Sequence, residues 1–140
     1  MAIIFRYEHI PREDGTLRKA PFIPIFAHDE NNRLVQIIAL IDSGADNIVI
    51  PKELAEILGL KLGEEVETAG IGGKTKVRKT RMCFAVRKGR EMYQITSNAL
   101  VLMDENIDVP LILGRNGFFE EFEITFRQKE ERIILKKIVK

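Results

Sequence analysis

Cysteine occurs once in the 140 residues, at Cys83, so no internal disulfide framework and no cysteine-based zinc cluster can form. Histidine occurs twice, at His9 and His28, which leaves no histidine-rich metal site. No single sign of charge dominates: 22 Lys+Arg against 21 Asp+Glu give a formal net charge of +1. Bulk attraction to nucleic acid or an anionic membrane is therefore not indicated, although a local patch is compatible with that balance. No stretch reaches the roughly 20 apolar residues of a membrane span. The opening Met1-Ala2-Ile3-Ile4-Phe5-Arg6-Tyr7-Glu8 is apolar too briefly for a signal-peptide core and lacks a basic leader, so a cytoplasmic protein is expected. Repeats, low-complexity tracts, a dinucleotide fingerprint and a P-loop are all missing. What is present is 45% apolar and 31% charged residues, the balance of a soluble globule. At this length a chain buries roughly 68% of its unfolded surface and holds a core without staples.

Alternation and β-branched residues predict strands over most of the chain. Ile3–Ile10 reads as the first strand and Pro21–Ala27 as the second, with Pro21 and Pro24 pushing it towards a sheet edge. Leu34–Ile41 is nearly all apolar, which predicts a central strand covered on both faces. Pro51–Leu58 reads as a helix stopped by Gly59, with Leu54, Ile57 and Leu58 on one face. Glu64–Ala69, Lys74–Val86, Glu91–Asn98 and Leu100–Met103 are strand-like, and Arg115–Phe122 is a short, weak helix with Gly117 inside it. Phe122, Ile124 and Phe126 alternate and lead through the turn Gln128–Glu131 to Ile133–Leu135, a terminal hairpin. One domain over residues 1–140 is expected, mostly β with one or two short helices, and residues 1–20 read as an N-terminal extension.

Three motifs carry chemistry. The apolar strand ending at Ile41 runs into Asp42-Ser43-Gly44-Ala45-Asp46, which sets a carboxylate at the mouth of a buried strand. Ser43 can hydrogen-bond locally, and Gly44 lets the backbone turn closely. By average residue usage such a triplet arises by chance in about one chain of this length in twenty, so alone it is compatible with a plain turn. Second, Ala69-Gly70-Ile71-Gly72-Gly73-Lys74 sets a glycine-rich tip between two strand-like runs. Third, Pro110-Leu111-Ile112-Leu113-Gly114-Arg115-Asn116 repeats the first grammar: an apolar strand, a glycine, then a polar residue opening a helix.

These three motifs, in this order, resemble those of the retropepsin-like aspartic proteases, over roughly Pro21 to Leu135. The resemblance implies a closed, mostly β acid-protease barrel with a flap hairpin, acting as a homodimer on a peptide or protein substrate, with no cofactor and no metal. By position it makes Asp42 the catalytic aspartate and gives Ser43 the hydroxyl that links two active-site loops. Gly44, Ala45 and Asp46 complete the loop, Gly44 and Asp46 along the substrate backbone. Gly70, Ile71, Gly72 and Gly73 become the flap tip, and Arg115 braces the loop from below. The helix Pro51–Leu58 looks more like the cellular and microbial members, and the N-terminal extension departs from the short retroviral form.

The chemistry agrees with that assignment. Hydrolysis by this route needs two carboxylates sharing one proton across a water. The chain holds Asp-Ser-Gly once, so the pair requires a two-fold dimer. The rival from another class is a non-catalytic peptide-binding or scaffold module with the same fold. Asp46 is expected to accept two parallel hydrogen bonds from Arg115 and, being partly buried, to cost on the order of 3 kcal/mol if left unpaired. Lys74, Lys76, Arg78, Lys79 and Arg81 read either as a nucleic-acid or acidic-peptide patch or, preferably, as a solvated flap. With Gly72-Gly73 as the turn, Glu67 would face Arg78 and Glu64 would face Arg81. Cys83 reads as a small structural residue, His9 and His28 as surface residues, and Asp104, Glu105 and Asp108 as a solvated turn that matches no calcium loop.

Overall fold

The computed structural model describes residues 2–70 and 73–139. Twelve strands and one regular α-helix account for the ordered elements among them. The first strand, β1 (Ala2–Arg6), is shorter than the alternation suggests, because the chain changes partner beyond it. The Tyr7 amide donates to the Glu131 carbonyl at 3.0 Å and the Glu8 amide to the Phe22 carbonyl at 2.9 Å. Ile10 then belongs to a small exposed hairpin, β2 (Ile10–Pro11) with β3 (Leu17–Arg18).

The principal sheet runs in the order β4 (Phe22–His28), β5 (Leu34–Ile41), β10 (Leu111–Leu113), β6 (Val49–Pro51), β9 (Glu91–Leu102), β8 (Gly73–Lys88), β7 (Glu65–Gly70). A second pairing of β4, Phe26 and Ala27 against Ala85 and Phe84 on β8, closes six of these strands into a ring. Pro24 lies before that contact, where the second edge of β4 needs no donor, and so the strand is an edge in one half only. Strand β5 is central as expected, with Ile37, Ala39 and Ile41 buried inside the ring. Its outer face is only partly covered: Ile38 and Leu40 are half-buried and Leu34 is exposed. Glu91–Asn98 and Leu100–Met103 prove to be one continuous strand.

Helix α1 (Lys52–Leu58) begins after Pro51 and ends at Gly59, whose φ of 66° is the left-handed cap that glycine adopts freely. Ala55 and Leu58 are buried, whereas Ile57 is 61% exposed and does not share their face. The expected helix over Arg115–Phe122 shrinks to a broken turn, Arg115–Phe119, with Asn116 extended and Gly117 at φ 95°. A Cβ at Gly117 would lie 2.0 Å from Ser97 Oγ, so glycine is required there twice over. Phe118, fully buried, anchors this turn against Phe84 and Phe122, with ring centroids 6.4 and 5.3 Å away.

The terminal hairpin, β11 (Phe122–Arg127) with β12 (Arg132–Lys137), takes β1 as a third strand in the order β1-β12-β11. Ile3, Phe5, Tyr7, Ile133 and Leu135 enter the same buried core as Ile41 and Phe118, so the N-terminal segment is packed in and does not hang free. No helix of the described residues is long and apolar enough to cross a membrane.

Candidate active site

The parallel pairing of β5 and β10 sets Ile41 beside Leu113, so both strands end side by side and deliver Asp42 and Gly114 to one place. The Asp42 amide donates to the Leu113 carbonyl at 3.1 Å, carrying the ladder one step further. Beyond it the two loops interlock through backbone alone. The Arg115 amide donates to the Ala45 carbonyl at 2.9 Å, and the Asn116 amide to the Asp46 carbonyl at 2.8 Å. Gly114 makes this approach possible, since a Cβ there would lie 2.3 Å from the Asn47 carbonyl oxygen and 2.8 Å from that of Ala45.

Within its own loop, Asp42 is half-buried and its Oδ1 accepts the Gly44 amide at 2.9 Å. A Cβ at Gly44 would crowd that same oxygen at 3.2 Å. The loop therefore keeps a carboxylate partly accessible and holds one of its oxygens with a backbone donor. Ser43 is exposed, and its hydroxyl makes no hydrogen bond among the described residues. Ala45 is half-buried. Asn47, at the end of the loop, accepts a hydrogen bond from the Asn116 side chain at 3.3 Å.

Arg115 reaches this loop, but its fork is divided. Nη2 donates to Asp46 Oδ1, and Nη1 donates to the Ser43 carbonyl at 3.0 Å. The expected parallel pair on one carboxylate is thus replaced by a clamp on two residues of the loop. The two side chains are 52% and 71% exposed, so Asp46 is not buried and the anticipated burial cost does not arise. An exposed pair of this kind is worth about 0–1 kcal/mol. The division of the fork matters more, because lysine offers a point charge and could satisfy only one of the two acceptors at a time. Arg115→Lys is expected to leave the melting temperature nearly unchanged while lowering kcat/KM about tenfold, the equivalent of one charge-assisted hydrogen bond. Steady-state kinetics beside a thermal melt checks it; unchanged kcat/KM would mean that Arg115 only opens a surface turn.

The glycine-rich tip lies at the end of the β7–β8 hairpin. Gly70 pairs with Gly73, and Ile71 and Gly72 lie outside the described residues. Gly73 is thus a paired strand residue and not half of a Gly72-Gly73 turn, and the cross-strand partners shift accordingly. Glu67 faces Lys76, and Glu65 faces Arg78. Glu64 pairs with Lys79 at 3.5 Å, while Arg78 donates from Nε to the Gly63 carbonyl at 2.9 Å and Arg81 to Asn98 at 3.1 Å. The basic run is thus largely engaged by its own hairpin and its neighbours.

Several other polar residues pair locally. His9 meets Glu131 at 2.8 Å, and His28 lies between Asn32 and Gln94 at 2.9 and 3.1 Å. Glu105 pairs with Lys52 at 3.1 Å, and Asp104 accepts the Asn106 amide at 2.9 Å in a solvated turn. Cys83 is half-buried opposite Thr96. Among the described residues no group of three or more His, Cys, Asp or Glu could hold a metal ion.

The sequence from residue 31 to 116, which contains both interlocked loops, matches the aspartyl protease family profile. The chain belongs to the aspartyl protease family. Its enzyme class is that of an aspartic endopeptidase, a hydrolase of peptide bonds. Among solved structures it is similar to a retropepsin-like aspartic protease from Rickettsia conorii, at 22% identity and TM-score 0.59 over 96% of this chain and 90% of that one. At that identity the likeness is one of fold, and the fold is retropepsin-like. The EIAV protease complexed with the inhibitor HBY-793 aligns at TM-score 0.48 and 22% identity over 76% of this chain and 88% of that one. No curated protein matches the sequence.

Sequence reasoning had passed over Gly114 and Asn116 as site residues. Gly114 is the spacer without which an aspartyl protease loop pair could not close, and Asn116 ties the second loop to Asn47. The signal was present in Leu113-Gly114-Arg115-Asn116, because a glycine between an apolar strand and a polar turn marks close backbone approach.

Proposed function

We propose that this protein acts as a homodimer in which two Asp42 carboxylates, one from each subunit, activate a single water to hydrolyse a peptide bond. The observation that carries this is the Asp42 loop itself. It holds one half-buried carboxylate on a backbone amide at the joined ends of β5 and β10, and the sequence contains Asp-Ser-Gly once. A second copy related by a two-fold axis supplies the missing carboxylate without any further element.

Two carboxylates that close cannot both ionise easily, so the pair keeps one proton. The ionised member takes a proton from the water as its oxygen attacks the carbonyl carbon, and the protonated member donates to the carbonyl oxygen. Collapse of the tetrahedral centre breaks the C–N bond, and the proton first taken from the water passes to the leaving nitrogen. The protons belong to the pair and not to one residue. In this reading no metal or cofactor takes part. Ser43, whose hydroxyl has no partner among the described residues, can reach the loop across the axis, and Arg115 holds the Ser43 carbonyl in place. In this reading Gly70 and Gly73, paired at the end of the hairpin, belong to the flap tip over the substrate. Residues 1–140 form one domain, supported by the single buried core that includes Ile3 and Phe5 together with Phe118.

Cleavage of a mixed peptide library read by mass spectrometry tests the activity, and dilution tests the assembly. Specific activity is expected to fall as the protein is diluted through its dimer dissociation constant, in step with the sedimentation coefficient. A monomer by sedimentation that cleaves at full rate would end the two-carboxylate reading.

A further inference from the structure

We propose that the outward face of the β1-β12-β11 sheet is a docking surface for an acidic, extended peptide segment of a partner protein, gripped by Arg6, Arg132 and Arg127. The register sets these three directly opposite one another: Arg6 across from Arg132, and Arg132 across from Arg127. Direct cross-strand neighbours share a face with Cβ atoms about 4.5–5.5 Å apart, so the three stems form one row across the sheet. Like charges set directly opposite destabilise a sheet. Nothing among the described residues relieves this row, for none of the three arginine side chains has a hydrogen bond or ion pair there. Folding needs the inner face of these strands, where Ile3, Phe5, Ile133 and Leu135 are buried; it makes no use of three arginines on the outer one.

The next row on the same face is Ile4, Ile134 and Thr125, with Ile4 47% exposed. Beside it a cavity of about 310 Å³ opens at the edge of β1, lined in part by Ile4, Arg6, Lys88 and Arg132. The carboxylate that also lines it, Glu91, accepts the Tyr93 hydroxyl at 3.0 Å and pairs with none of these cations. The site therefore offers unneutralised guanidinium groups beside an apolar strip.

Guanidinium forks suit carboxylates and phosphates alike. The apolar strip decides between them, since it gives an acidic peptide a place for its intervening apolar side chains and gives a phosphate backbone nothing. A net charge of +1 points the same way, because it lacks the broad positive field on which nucleic-acid binding rests. The proposal goes beyond the proteolytic reading and does not depend on it.

Fluorescence anisotropy on the full chain tests it with a short labelled peptide alternating Glu and Val. A peptide alternating Lys and Val and a single-stranded oligothymidine are the comparisons. The Glu–Val peptide is expected to bind, to weaken with salt, and to lose about tenfold in affinity on Arg132→Gln and more on the Arg6→Gln, Arg127→Gln, Arg132→Gln triple change. The unliganded triple variant is expected to melt at or above the wild-type temperature, because the opposed charges are gone. Any one of four results would overturn the proposal: no preference for the acidic peptide, equal binding by the triple variant, oligothymidine binding as tightly as the peptide, or a changed sedimentation coefficient in the triple variant. The last would mark the face as a contact between two copies.

Discussion

Asp42→Asn is expected to abolish peptide cleavage while leaving the fold intact. Asn keeps the size of the side chain and an oxygen that can still accept the Gly44 amide, now 2.9 Å from Oδ1, so the loop has no reason to move. What it loses is any ability to take a proton from water or to give one to the carbonyl oxygen. Loss of general acid–base catalysis alone lowers a rate by about 10²–10⁴, and in the proposed dimer one substitution changes both halves of the site. The melting temperature should stay the same or rise, since in the proposed dimer the substitution removes the crowding of two carboxylates that cannot both ionise easily. Kinetics and sedimentation together check this. Cleavage that persists would place the active site elsewhere, and a weakened dimer would count against like-charge crowding at the axis.

Residues legible in the sequence were those whose role follows from their neighbours along the chain. Asp42, Ser43 and Gly44 stand out because an apolar strand ends in a carboxylate and a glycine. The helix after Pro51 and the terminal hairpin follow from periodicity and turn chemistry in the same way. Features that depend on the third dimension were not legible. The flap register moved because glycine supplies turn geometry at Gly70, Gly72 and Gly73 alike, and which pair turns depends on where β7 and β8 meet their neighbours. Arg115 finds Asp46 as its residue type suggests, yet its fork is split, because the Ser43 carbonyl lies within reach only once β5 and β10 are side by side. Ile57 looked like a core residue on a helical wheel and is exposed, since Ala55 and Leu58 already face the core. The arginine row is invisible along the chain: Arg6, Arg127 and Arg132 become neighbours only through the register of three strands.

The interlocking of the two loops leads to the second large effect, at Gly114. Its φ of −95° and ψ of −173° are ordinary extended values, so alanine would meet no backbone strain of its own. The obstacle is space. A methyl group would stand 2.3 Å from the Asn47 carbonyl oxygen, 2.8 Å from the Asn47 carbonyl carbon and 2.8 Å from the Ala45 carbonyl oxygen. All three are backbone atoms, and none can swing aside as a side chain would. The loops must therefore part, and parting strains the bonds that join them, from the Arg115 amide to Ala45 and from the Asn116 amide to Asp46. Overpacking of this kind costs about 1–3 kcal/mol, and each lost hydrogen bond adds about 0.5–1.5 kcal/mol. Gly114→Ala is thus expected to lower the melting temperature by several degrees or more. Catalysis should suffer further, because the displaced element carries Asp42, and a misplacement of about 1 Å can cost a hundredfold in rate. A variant that retains its β-sheet circular dichroism, melts lower and has lost roughly two orders of magnitude in kcat/KM is the expected outcome. Unchanged stability together with full activity would show that the two loops do not depend on each other, and the account of Arg115 as a clamp would fall with it.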